Sequence, residues 1–251
     1  MKRFEGKVAV VTGGSRDLGR AVCVKLAEEG AKVVVNWNSS EENAKETLAL
    51  IEKVGGTAIA VKADVTKEAE VKKLFAEAVK AFGDRIDILV NVVGGIVGRK
   101  KIVEQDEDWY NCLMDINMKS VWLCTREAVP MMTAGGSIVN FSSQAGRDGG
   151  GPGASLYATS KAAVLCFSRA MAKELGPQGI RVNAVCPGMF NTSFHDRFTK
   201  PEGREALHRT APLRREGEAP EIADLVCFLA GDESAYITGA GIDINGGCFF
   251  S

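Results

Sequence analysis

Short apolar runs alternate with helix-period stretches along almost the whole chain, and that alternation limits the possible folds more than any other feature. "VAVV" (8–11) precedes "LGRAVCVKLAEEG", and "KVVVN" (32–36) precedes "SEENAKETLALIEKVGG". "TAIAVKAD" (57–64) precedes "TKEAEVKKLFAEAVKAFG", and "IDILVN" (86–91), "GSIVNFSS" (136–143), "IRVNAVCPG" (180–188) and "GIDING" (241–246) complete the series. Strands separated by helices pair in parallel, with right-handed crossovers and helices covering both faces. The expected fold is α/β: one doubly wound, seven-stranded parallel sheet in a single domain over residues 1–251. Ser39 or Ser40 suits the N-cap of the second helix, and a long helix begins near Asp106. Gly30, Gly55, Gly83 and Gly176 suit helix C-termini. The one long irregular stretch, 188–217, is rich in Pro, Arg and Phe and reads as a lid.

Composition excludes several function classes. Lys+Arg 31 against Asp+Glu 32 leaves a formal net charge of −1, with no basic excess for nucleic acid or a membrane surface. No stretch approaches transmembrane length or forms a signal-peptide core. Cys23, Cys112, Cys124, Cys166, Cys186, Cys227 and Cys248 are scattered without a C-x-x-C pair, as in a reduced cytoplasmic protein. With His195 and His208 the only histidines, no metal site is expected.

"TGGSRDLG" (12–19) joins the first strand to the first helix. Backbone amides at such a helix N-terminus receive a pyrophosphate. Asp17 in the middle of the turn is a poor neighbour for that charge. Two like charges about 4 Å apart repel by about 1 kcal/mol in water and about 4 kcal/mol at an effective dielectric of 20. Asp17 also falls at a helix start, where Asp is a favoured N-cap. Its carboxylate is expected to turn from the cofactor onto backbone amides, Arg16 or Arg20; the alternative is that it disables binding.

Thr12-Gly13 through Gly19 resembles the T-G-x-x-x-G-x-G turn of the short-chain dehydrogenase/reductase family, with Asp17 in place of the middle glycine. Asp64-Val65, Asn91-Val92-Val93-Gly94, Asn117, Ser143, Tyr157, Lys161 and Pro187-Gly188 through Thr192 follow in the family's order over nearly the whole chain. The resemblance implies a Rossmann fold, a nicotinamide dinucleotide and a four-chain assembly. It places the cofactor on Gly13, Ser15, Arg16, Leu18, Gly19, Asn36, Asn38, Ser39, Asp64, Val65, Asn91, Gly94, Tyr157, Lys161, Pro187, Gly188 and Thr192. NADPH is expected over NADH. The second strand ends in Asn36, Trp37, Asn38 and Ser39 without an acid for ribose hydroxyls, and Arg16 suits a 2′-phosphate.

Tyr157 and Lys161 stand four apart, on one helix face. An ammonium about 4 Å from a phenol favours phenolate by up to roughly 4 kcal/mol, about three pKa units. Tyr157 then serves as proton donor, Ser143 rather than Ser142 holds the carbonyl oxygen, and Asn117 holds a water linking Lys161 to solvent.

Arg99, Lys100, Lys101, Gln144, Arg147, Asp148, Asn191, His195 and Arg197 predict a polar rim for a small anionic sugar-derived substrate, such as a keto-deoxy-uronate. Carrier-protein reductases of the family carry arginines near the active-site mouth, where Ala134 and Gln178 stand here. A 3-oxoacyl-carrier-protein reductase and a non-catalytic nucleotide-binding protein are the alternatives.

Overall fold

The computed structural model of the protein describes residues 2–199 and 201–250. Seven strands form one sheet: β1 Val8–Thr12, β2 Lys32–Trp37, β3 Thr57–Lys62, β4 Ile88–Asn91, β5 Ser137–Phe141, β6 Arg181–Pro187 and β7 Gly241–Ile244. Their order is β3-β2-β1-β4-β5-β6-β7, and every pairing is parallel. The helices are α1 Asp17–Glu28, α2 Glu41–Lys53, α3 Glu68–Phe82, α4 Glu107–Met114, α5 Ser120–Ala128 and α6 Ala145–Asp148, followed by α7 Ser155–Leu175, α8 Ser193–Phe198, α9 Pro201–Thr210 and α10 Ala219–Ala230.

Strand alternation divides the core. Ala9, Val11, Val33, Val35, Val90 and Val139 point to the face covered by α1, α2 and α10. Val8, Val10, Val34, Leu89, Ile138 and Val182 point to the face covered by α3, α5 and α7. The strands are apolar on both sides, as a sheet covered on two faces requires.

Ser40, not Ser39, caps α2, its Oγ accepting from Asn43 N at 3.2 Å. Asp106 caps α4 in the same way through Trp109 N at 2.7 Å. Gly30, Gly55 and Gly83 follow their helices with positive φ. Gly176 does not: it keeps a helical φ of −53°, a short 3-10 turn continues to Gln178, and Gly179 takes the left-handed conformation at φ 75°. The expected irregular stretch 188–217 contains two helices, α8 and α9. Among the described residues no helix is long and apolar enough to cross a membrane.

Candidate active site

The strand order reverses between β1 and β4, and a cavity of about 750 Å³ opens at the C-terminal ends of the strands there. It runs from Gly13, Arg16 and Leu18 past Gly94 to Ser143, Tyr157 and Lys161, and one wall comes from the 188–217 segment.

The glycine turn is built for close backbone approach. Gly13 has φ 66°. A Cβ on Gly19 would overlap the Gly13 carbonyl, and one on Gly94 would stand 2.5 Å from Lys161 Nζ and 2.7 Å from Asn117 Oδ1. Asn36 supports the turn from behind. It is buried, its Oδ1 accepts from Gly13 N at 3.1 Å and its Nδ2 donates to Ala63 O at 3.0 Å. Asn36 is therefore a brace for the turn rather than a direct cofactor contact.

Further braces gave no sequence signal. Thr12 Oγ1 accepts from Val92 N at 3.1 Å and Val93 N at 3.3 Å, joining β1 to the altered "NVVG". Ser15 O accepts from Arg20 Nη2 at 2.9 Å and Thr47 Oγ1 at 3.1 Å. Arg16 keeps an exposed guanidinium at the cavity, with Asp17 Oδ2 at 3.8 Å from its Nε. Asn38 and Ser39 are exposed at the end of β2, outside the cavity lining.

Asp64 is half-buried, and its Oδ1 accepts from Thr66 N at 3.0 Å and Thr66 Oγ1 at 2.7 Å. Val65 is a core residue. Asn91 is buried in the sheet, donating to Asn140 Oδ1 at 2.9 Å. Asn91 thus pairs with β5, away from the cavity lining.

Asp17 corrects the sequence reading. Arg16 occupies the N-cap position and Asp17 is the first helical residue, at φ 47°. That left-handed conformation is one that Asp tolerates better than most residues. Of the expected partners, Arg16 stands within 3.8 Å of the Asp17 carboxylate, whereas its own helix amides and Arg20 do not reach it. Oδ1 accepts from Ser193 N at 3.0 Å and Oδ2 from Ser193 Oγ at 2.5 Å, so the glycine turn holds the start of α8.

The four expected catalytic residues converge. Asn117 lies in a π-helical turn, Asp115–Lys119, between α4 and α5. Such turns recur at functional sites. Its side chain is fully engaged: Oδ1 accepts from Gly95 N at 2.8 Å, and Nδ2 donates to Gly95 O at 3.0 Å and Leu113 O at 2.9 Å. The amide therefore pins the Gly94–Gly95 turn and has no donor left for a water. Ser142 is turned inward, donating to Lys161 O at 2.7 Å, so the choice of Ser143 at the cavity agrees with this arrangement.

Lys161 is buried and donates from Nζ to Phe141 O at 2.8 Å; burial brings its pKa down to about 8. Burial holds the Tyr157 phenol above its usual range, against a hydrogen bond from Ser143 and the charge of Arg99. The expected lowering by Lys161 is absent because its ammonium points at the β5 carbonyl.

The rim differs from expectation. Arg99 and Gln144 line the cavity, and Gln144 Nε2 donates to Asp148 Oδ2 at 2.9 Å. Arg147 points away, donating from Nη2 to Gly241 O at 2.6 Å. Asn191 is drawn to Arg204 at 3.3 Å and Glu218 at 3.4 Å and does not line the cavity. His195 does line it, but burial lowers its pKa to about 4, so it is neutral. Phe194, Phe198 and Leu207 complete that wall, while Arg197 lies over the Phe198 ring outside it. Gly188 and Thr192 sit at the cavity; Thr192 Oγ1 donates to Phe190 O at 3.2 Å. Ala134 and Gln178 precede β5 and β6, at the N-terminal ends of the strands and opposite the cavity, so neither stands at its mouth.

A family model described as Enoyl-(Acyl carrier protein) reductase matches residues 13–248. The chain is 38% identical to a 3-oxoacyl-[acyl-carrier-protein] reductase, FabG, of Staphylococcus aureus, over 97% of this chain and 98% of the relative. It is similar to the short-chain dehydrogenase/reductase from Serratia marcescens BCRC 10948, at TM-score 0.92 and 35% identity over 98% of both chains. It is also similar to a short chain dehydrogenase from Burkholderia cenocepacia in complex with NADP, at TM-score 0.91 and 35% identity over 98% of both chains.

Proposed function

The chain belongs to the short-chain dehydrogenase/reductase family of NAD(P)-dependent oxidoreductases, and from that premise we propose that it is an NADPH-dependent reductase of ketones with an apolar alkyl or aryl body. The cofactor, when bound, supplies the hydride. Gly13, Gly19 and the α1 amides hold its pyrophosphate, and Arg16 its 2′-phosphate. Gly188 and Thr192, which line the same cavity, would hold its nicotinamide end. Ser143 holds the carbonyl oxygen and Tyr157 delivers the proton. Lys161 lines the same cavity with its ammonium held on Phe141 O.

The glycine turn fits a dinucleotide because Gly13 and Gly19 add no side chain of their own to the cavity lining, leaving the backbone to meet the pyrophosphate. Asp17 fits because its carboxylate is taken up by Ser193. The exposed guanidinium of Arg16 at the cavity and the absence of an acid at Asn38 and Ser39 support NADPH over NADH. The protein acts on a small molecule in the cytoplasm as a homotetramer in this reading; its free cysteines and exposed Val103, Tyr110 and Trp122 support it.

One observation carries the substrate class. The part of the cavity lining that comes from 188–217 includes Met189, Phe190, Phe194, Phe198 and Leu207, and its histidine is uncharged. A sugar acid would leave hydroxyls unpaired against that wall. Each methylene buried there contributes about 0.8 kcal/mol, about fourfold in kcat/KM. The test compares 3-oxoacyl thioesters of increasing chain length with a keto-deoxy-uronate, following NADPH loss. Rising kcat/KM with chain length supports the reading; preference for the uronate returns it to a polar substrate. Arg99, exposed at the cavity, favours a keto acid as the second reading.

A further inference from the structure

Arg147 lies four residues beyond Ser143, on α6, and its side chain is only 11% exposed. Its Nε stands 2.7 Å from Oδ1 of Asp243 on β7, itself 17% exposed, and its Nη2 donates to Gly241 O at 2.6 Å. Position 241 has no room for a side chain: a Cβ there would stand 2.8 Å from Arg147 Nη2. The opposite side of α6 is equally tight, since a Cβ on Gly146 would meet the Lys161 backbone at 2.8 Å. The short helix is therefore clamped between α7 at Lys161 and β7 at Gly241 and Asp243.

What α6 holds is the serine. Its first amide, Ala145 N, donates to Ser143 Oγ at 3.1 Å, which leaves the serine's own proton for Tyr157. Below, the Cys186 thiol meets both Arg147 and Ser142. A mostly buried ion pair contributes little net stability compared with an apolar pair of similar size, because desolvation offsets the attraction. Fixing one arrangement among several is the better-attested use of such a pair.

We propose that Arg147 and Asp243 are positioning residues, which hold α6 in the register that aims the Ser143 hydroxyl at Tyr157. Neither residue lines the cavity, and the pair acts through the α6 backbone. The inference rests on the reductase reading for its kinetic consequence, but the ionisation of Tyr157 tests it without substrate. The groups facing that phenol are Ser143 from the β5–α6 junction and Arg99 from the segment after β4, while the Lys161 ammonium one turn along α7 is turned to Phe141 O. Asp243 and Cys186 face Arg147.

Arg147→Met alone strands a buried carboxylate, so the test uses Arg147→Met/Asp243→Asn, with Arg147→Gln as the milder variant. Phenolate formation is followed by ultraviolet difference titration against Tyr157→Phe, which cancels Tyr110 and Tyr236. The double variant should raise the Tyr157 pKa by about half a unit to one unit, as Ser143→Ala should, and Arg147→Gln should shift it in the same direction. The kcat for ketone reduction should fall about tenfold while the Kd for NADPH stays within about twofold. An unshifted Tyr157 in folded variants overturns the proposal. So does an equal loss of kcat and NADPH binding, which would mean general loosening. If Tyr157 shifts as expected but the wild type reduces no ketone, the positioning stands and the reductase reading falls.

Discussion

The cavity has two walls held by different physics. The catalytic wall is tied into the core. Lys161 donates to a β5 carbonyl at 2.8 Å, Asn117 is locked to Gly95 at 2.8 and 3.0 Å, and Ser142 is bonded to Lys161 O at 2.7 Å. The wall from 188–217 is held at its rim by charge. Arg204 reaches Glu216 through two bonds of 2.7 Å and Asp196 through another, and Asp17 holds Ser193 at 3.0 Å. Inside that rim, Phe194 and Phe198 pack at 5.2 Å between ring centroids. A wall fixed by buried hydrogen bonds to backbone gives one geometry, as proton transfer needs. A wall held by part-buried ion pairs at its rim stands outside the sheet core, and can change with less cost to the fold.

The comparison predicts that substitutions on the first wall remove chemistry, whereas those on the second alter selection. Tyr157→Phe should lower kcat at least about a thousandfold with the Kd for NADPH nearly unchanged, measured by turnover and by fluorescence titration. Near-normal kcat would remove Tyr157 from its role. Lys161→Ala should cost both rate and NADPH affinity, because its ammonium reaches the cavity from below. On the other wall, Phe194→Ala with Phe198→Ala should raise KM for long-chain ketones about tenfold and barely change the shortest. A uniform loss of kcat instead would place these rings in the chemistry.

Much of the first wall was legible in the sequence because its chemistry demands particular residues at particular spacings. Tyr157 and Lys161 share a helix face, and Gly13, Gly19 and Gly94 mark close backbone approach. What could not be read are partners far apart in sequence. Arg147 looked like a rim cation until Gly241, 94 positions away, proved to be its acceptor. Asn36 reads as a cofactor ligand, yet its amide closes the turn behind Gly13. The 188–217 segment read as irregular because α8 is one short turn and a half and α9, with no buried residue, carries no apolar stripe. Asp17 was expected to cap its own helix; only the fold brings Ser193 within reach.

Two smaller effects sharpen the contrast. Asp17→Gly removes two hydrogen bonds to Ser193 while satisfying the left-handed backbone with glycine. Hydrogen exchange at 193–199 should then speed up by about tenfold, with NADPH affinity within a few-fold. A large gain in affinity would mean that the carboxylate opposes the pyrophosphate. His195 gives the smallest effect. Its pKa in the fold is about 4 against about 6.5 unfolded, so its contribution is complete above about pH 6.5 and is lost as pH falls towards 4. His195→Gln should flatten that acid slope by about 1 kcal/mol, allowing for solvent screening, in denaturant titrations at several pH values.

The central claim is that the core-tied wall performs the chemistry and the aromatic wall chooses the ketone. The most direct measurement is kcat/KM with NADPH for acetoacetyl and 3-oxooctanoyl thioesters, in the wild type and in Phe194→Ala/Phe198→Ala. The account predicts a wild-type preference for the longer chain that collapses in the variant, with acetoacetyl turnover preserved. A variant that keeps the preference, or loses both substrates equally, would contradict it.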